Sequence, residues 1–169
     1  FNNAAAGGAR ASIDEIEPED WDGTMDLVLR SVAFGIRYAV PHMRGRKGAS
    51  IVNVSSVAAV GPGYAPTAYS VGKAGVLHLT KCAAAELAQF GIRVNAVCPN
   101  EVNTPMLRSG FEKRGFDPDK AVAELNSTVP LGHIAEPEEI ADVIAFLASD
   151  AARYMCGALV EVNGGKPVT

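Results

Sequence analysis

Long apolar runs, paired cysteines and any surplus of positive charge are missing from this chain of 169 residues. No stretch of about 18 apolar residues occurs, and no charged-then-apolar leader, so the sequence offers neither a bilayer span nor a signal peptide. Cys82, Cys98 and Cys156 are odd in number and widely spaced, which suits neither a disulfide framework nor a CxxC metal or redox pair. They read as buried thiols of a cytoplasmic protein. His42, His78 and His133 are equally scattered, with no HExxH or comparable spacing, so no metal site is expected. With 15 Lys and Arg against 19 Asp and Glu, the net charge is −4. A nucleic-acid surface needs clustered cations to neutralise phosphates and is not expected here. The one dense basic stretch, Arg44-Gly45-Arg46-Lys47, follows a helical pattern and reads as a solvated helix end.

What the chain does have is 48% hydrophobic residues, enough for a single core at this length. From Pro18 to about Met43, Trp21, Met25, Val28, Leu29, Val32, Ile36 and Val40 recur at helical spacing, which predicts one long amphipathic helix. Glu17, Glu19 and Asp20 suit the positive end of its dipole. The β-branched run 50–55 predicts a buried strand, followed by a Gly/Pro-rich loop over 61–66. A second long helix is expected over 67–89, closed by Gly91, then a buried strand over 92–98 stopped by Pro99. Residues 103–132, rich in Gly, Pro and charge, read as a mobile segment with short helices that would act as a lid. A helix over 137–149 and a strand over 158–162 complete the chain. Alternating helices and strands imply a single α/β domain with a doubly wound parallel sheet.

Chemistry concentrates in Tyr69-Ser70-Val71-Gly72-Lys73. The four-residue spacing puts a phenol and an ammonium on one helical face. A tyrosine with its ordinary pKa near 10 is a poor base at neutral pH, and a neighbouring cation favours the phenolate and lowers that pKa. Ser56 follows its strand at the carboxyl edge of the sheet, where open parallel sheets bind ligands, and its hydroxyl could hold a substrate oxygen beside the phenol. Taken alone, a YxxxK spacing fits an ordinary solvated helix face equally well.

The order of the motifs goes further. Asn2-Asn3-Ala4, Ile51-Val52-Asn53-Val54-Ser55-Ser56, the Tyr69/Lys73 pair, Arg93-Val94-Asn95-Ala96-Val97-Cys98-Pro99, and Gly157 through Gly165 resemble, in sequence, five blocks of the short-chain dehydrogenase/reductase family. That resemblance implies the C-terminal part of a Rossmann-like domain and an NAD- or NADP-dependent oxidoreductase interconverting a secondary alcohol and a ketone. In its terms Tyr69 is the general acid/base, Lys73 lowers its pKa and holds the nicotinamide ribose, and Ser56 orients the substrate oxygen. Asn2 supports the cofactor side of the sheet, while Pro99, Val102 and Thr104 fall where the family contacts the nicotinamide and phosphates. Ala58, Tyr64, Glu101 and the 103–132 segment would line the pocket for an apolar or mildly polar alcohol. The two long helices resemble those that pair across subunits, so a homotetramer or homodimer is implied.

The sequence departs from the family in four places. The glycine-rich cofactor loop should precede Asn2, and the abrupt start at Phe1 reads as a cut into a longer protein. Val28 stands where the family carries an asparagine of the proton relay, and valine cannot hydrogen-bond. Ala5 and Asn100 stand where glycine is preferred, although asparagine tolerates left-handed backbone angles. Two further readings therefore accompany the oxidoreductase. One is a non-catalytic binding or structural subunit; the other is epimerisation or dehydration on the same scaffold.

Overall fold

A computed structural model describes residues 1–168. Three parallel strands lie in the order β1 (Ser50–Val54), β2 (Arg93–Pro99), β3 (Leu159–Val162), and Asn2 bridges to Asn53 on the outer edge of β1. The chain reaches them through α1 (Pro18–Met25) and α2 (Ser31–Met43), then α3 (Thr67–Leu87), α4 (Pro105–Glu112), α5 (Pro118–Ser127) and α6 (Pro137–Ala148). This is the expected α/β class with helices on both faces.

Alternation along the strands explains the two layers. Ile51 and Val94 face α2 and α3 in a cluster with Val32, Ile36, Val76 and Ile92. Val52 and Val97 face the other way, against Ile140 and Leu147 of α6. Because both faces are covered, β2 reads as a nearly continuous apolar run rather than an alternating one. Gly91 takes φ +72°, which ends the turn after α3 and sends the chain into β2.

The long helix expected over 18–43 carries an interruption. Asp26–Arg30 form a π-helical turn between α1 and α2, with Val28 fully buried at its centre. Such turns add one residue to the helical repeat and shift the register of the face beyond them. The face meets α3 very closely: a Cβ on Gly72 would stand 2.9 Å from Val28 Cγ1, and one on Gly75 would stand 2.8 Å from Leu29 Cδ2. Glycine at those two positions is what lets the helices approach.

One expectation changes. Only Cys98 is buried, on β2; Cys82 on α3 and Cys156 in the loop before β3 are exposed. The span 103–132 holds short helices as expected, α4 and α5, over a small core of Val122, Val129 and Ile134. Pro105 and Pro118 each sit in a first helical turn, where a missing N–H costs nothing. No helix among the described residues is long and apolar enough to cross a membrane.

Candidate active site

Parallel strands bring their carboxyl ends to one edge, and the register shows which residues meet there. Ser55 N–H donates to the Val97 carbonyl at 2.8 Å, and Asn100 N–H donates to that of Val162 at 3.1 Å. Ser56, Asn100 and Asn163 therefore leave three adjacent strands on the same side.

Ser56 caps the short 3-10 turn Val57–Ala59, its Oγ accepting from Ala58 N–H at 3.2 Å. Tyr69 arrives from the first turn of α3, and the Ser56 side chain lies close enough to its phenol to favour the ionised form. Lys73, one turn further on, is 2% exposed; its Nζ donates to the Val54 carbonyl at 2.7 Å and lies 5.6 Å from the centroid of the Tyr69 ring. Ser55 Oγ donates to the Lys73 carbonyl at 2.9 Å, tying that turn of α3 to the end of β1. The sequence-derived trio is thus one cluster.

The electrostatics differ from expectation in one respect. Burial pushes the Tyr69 phenol above its ordinary pKa, and the nearby Ser56 side chain only partly offsets this. The expected lowering by Lys73 is not visible, and burial sets the direction of the shift. Burial also lowers Lys73 to about 8, with nearby Cys98 opposing, and raises the Cys98 thiol to about 12. Such a thiol stays protonated and unreactive at neutral pH.

The remaining candidates divide by position. Asn2 exchanges backbone hydrogen bonds with Val52 and Val54, and its Nδ2 donates to Asn53 Oδ1 at 2.8 Å. Pro99 is buried at the end of β2, Val102 bridges to Ala135, and Thr104 Oγ1 caps α4. Ala58 is buried under Ser56's turn. Tyr64 OH donates to the Pro167 carbonyl at 3.0 Å, and Glu101 Oε1 pairs with Lys166 Nζ at 2.9 Å. Asn100 Nδ2 and Glu101 Oε2 are buried without a partner, beside a cavity of about 80 Å³. No non-glycine residue among those described has a positive φ, so Asn100 needs no left-handed backbone.

A larger cleft of about 710 Å³ lies next to this cluster rather than over it, lined by Gly8, Thr24, Val28, Lys113 and Arg114. Gly8 forms the partition: a Cβ there would stand 3.2 Å from Tyr69 Cβ and 2.9 Å from Thr24 Cγ2.

Sequence reasoning missed the polar frame behind the site. Asn53 Nδ2 donates to Thr80 Oγ1 at 2.9 Å, and Thr80 donates onward to the Val76 carbonyl at 2.8 Å. Asn95 Nδ2 donates to the Met155 carbonyl at 2.9 Å, and its Oδ1 accepts from Ala158 N–H at 3.0 Å. The signal was present: an asparagine inside each of two buried strands must find partners, because an unpaired buried amide is costly. Lys166 was missed too, and a partner 65 residues away leaves no local signal.

The chain resembles known proteins along nearly its whole length. A family profile described as enoyl-(acyl carrier protein) reductase matches residues 1–166. The 3-oxoacyl-[acyl-carrier-protein] reductase of Thermotoga maritima is 41% identical over 155 residues, covering 92% of this chain and 60% of that protein. The cis-4-hydroxycyclohexanecarboxylate dehydrogenase of Sinomonas cyclohexanicum is 40% identical over 164 residues, covering 96% and 63%. Ligand-free aldohexose dehydrogenase of Thermoplasma acidophilum has the same fold, with a TM-score of 0.91 at 33% identity over 97% of this chain and 65% of that one. L-sorbose reductase of Gluconobacter frateurii, solved with NADPH and L-sorbose, gives 0.88 at 31% identity, over 99% and 65%. The chain spans about three fifths of the length of the curated relatives it matches.

Proposed function

The chain belongs to the short-chain dehydrogenase/reductase family, and on that premise we propose that it is the part of an NAD- or NADP-dependent oxidoreductase that carries the proton-transfer machinery for a secondary alcohol and its ketone. The observation that carries this reading is the convergence of Ser56 and Tyr69 at the carboxyl edge, with Lys73 buried beside them and hydrogen-bonded to Val54.

When bound, the nicotinamide supplies the two-electron chemistry, and the protein supplies the proton and the geometry. Tyr69 accepts the alcohol proton in oxidation and returns it to the carbonyl oxygen in reduction. Ser56 holds the same substrate oxygen, its own position fixed by the Ala58 N–H. Lys73 fits a ribose: it spends one of its three N–H donors on Val54 and has no second protein acceptor among the described residues. Its charge then favours the phenolate, offsetting the burial that raises the phenol. Asn2, Pro99, Val102 and Thr104 lie around the same edge and would hold the rest of the nicotinamide end. Ala58, Tyr64 and Glu101 would form the substrate wall. Leu27, Phe34, Tyr38 and Val71 are exposed apolar residues on α1 to α3, and they suit pairing of these helices in a homodimer or homotetramer.

A non-catalytic binding subunit is the second reading, favoured by fully buried Val28, which gives the site no polar group from the π-helical turn. Turnover separates the two. In the natural full-length protein, NADH and NADPH binding and oxidation of a panel of secondary alcohols are measured for wild type and Tyr69→Phe. Turnover lost in the variant while cofactor binding survives supports the enzyme; cofactor binding without turnover in wild type supports the binding subunit.

A further inference from the structure

The chain after β3 returns across the same edge that carries Ser56 and Tyr69. Leu131 N–H holds the Gly164 carbonyl at 3.1 Å, and Asn163 Oδ1 accepts from Gly165 N–H at 3.0 Å, so the segment leaves the strand on a fixed path. Two contacts then join it to residues on either side. Lys166 Nζ pairs with Glu101 at 2.9 Å, just beyond the end of β2, and the Pro167 carbonyl accepts from Tyr64 OH at 3.0 Å, on the loop leading into Tyr69. Lys166 and Glu101 side chains are 19% and 22% exposed, half-sunk rather than solvated.

We propose that residues 163–167 form a wall of the substrate cleft whose charge is compensated, with Lys166 neutralised by Glu101, so that the site selects substrates lacking an ionic group at that end. The inference rests on the oxidoreductase reading above. An unpaired lysine at a half-buried cleft wall would attract carboxylates. Here the ammonium already faces a carboxylate, and an anionic substrate would meet Glu101 repulsion as strongly as Lys166 attraction. One Glu101 oxygen holds Lys166, and the other faces the small cavity that Glu101 shares with Asn100. Tyr64 fixes the far side of the same wall, so loop 61–66, the β2 exit and the segment after β3 would move together.

The test uses the natural full-length protein and two substrates with one carbon skeleton, 2-hexanol and 5-hydroxyhexanoate. Wild type favours 2-hexanol. Glu101→Gln, which leaves the ammonium uncompensated, shifts the kcat/KM ratio toward 5-hydroxyhexanoate by roughly tenfold, the size of one charge-assisted hydrogen bond. Lys166→Met shifts it the opposite way, and the double variant returns near wild type. A merely structural pair would lower both substrates together and leave the ratio within twofold, which overturns the proposal. A wild type that oxidises no alcohol of the panel overturns the oxidoreductase reading, and this inference with it. The clasp has its own readout, independent of turnover: amide hydrogen exchange across 61–66 rises in a chain stopped after Gly165, and unchanged exchange contradicts it.

Discussion

Within β1, β2 and α3 and at the end of β1, the fully buried polar side chains are paired: Asn53 with Asn2 and Thr80, Asn95 with Met155 and Ala158, Ser55 with Lys73, Lys73 with Val54. Between Asn103 and Gly132 the arrangement is reversed. Only Val122 and Val129 are buried there, and the polar contacts run through exposed groups such as Arg108 Nη1 to Asp119 Oδ1 at 2.7 Å, with side chains 37% and 86% exposed. The groups assigned to proton transfer stand on the paired frame, where a shift of one atom breaks several bonds. The overhanging segment is held by interactions that water can replace at little cost. A frame of this kind fixes geometry, whereas a segment held as 103–132 is opens locally at lower free-energy cost.

Substitutions on the two sides should separate accordingly. Asn95→Ala strands the Met155 carbonyl and the Ala158 N–H together and is expected to destabilise the full-length protein by about 2–5 kcal/mol in denaturant unfolding. A loss below 1 kcal/mol would mean that the frame is less demanding than its bonding suggests. Lys73→Met should do the opposite. A buried ammonium lowered to about 8 has its charged form penalised, and removing it is expected to stabilise the cofactor-free protein at pH 7 by on the order of 2 kcal/mol while activity is lost. The sign follows from linkage. Between pH 8 and 10.5 the unfolded chain binds the proton that the folded chain has released, so the Lys73 contribution to wild-type stability rises with pH. The advantage of Lys73→Met must therefore shrink across that window, and unfolding curves at pH 7 and 9.5 check it. The smallest effect belongs to the overhang. Arg108→Ala breaks an exposed pair and is expected to cost about 0.2–1 kcal/mol. In hydrogen exchange it should raise the α4 amides and leave those of β1 and β2 unchanged.

Much of the frame was legible because periodicity reports burial. Strands β1 and β2, helix α6 and the Gly91 stop follow from residues that have few alternatives. The Ser56, Tyr69 and Lys73 cluster was legible for a related reason: a strand end and a helical first turn fix where three side chains project. What could not be read depends on contacts between distant segments. The π-helical turn at Val28 is set by the approach of Gly72 and Gly75, some 45 residues away, and leaves no trace in the apolar spacing. The exposure of Cys82 turns on which face of α3 is covered, and that of Cys156 on the path of the loop before β3. The direction of the Tyr69 shift was missed because spacing places Lys73 near the ring but cannot show how deeply the phenol is buried.

The central claim, that Tyr69 passes the proton while the frame holds it in place, is tested most directly by a single turnover with cofactor deuterated at the transferable position. The full-length wild type should deliver deuterium to the carbonyl carbon of a ketone substrate, read by mass spectrometry. Tyr69→Phe, binding cofactor as well as wild type does, should be slower by about 10²–10⁴-fold, the usual worth of a positioned acid. Deuterium transfer at the wild-type rate in Tyr69→Phe would contradict the account.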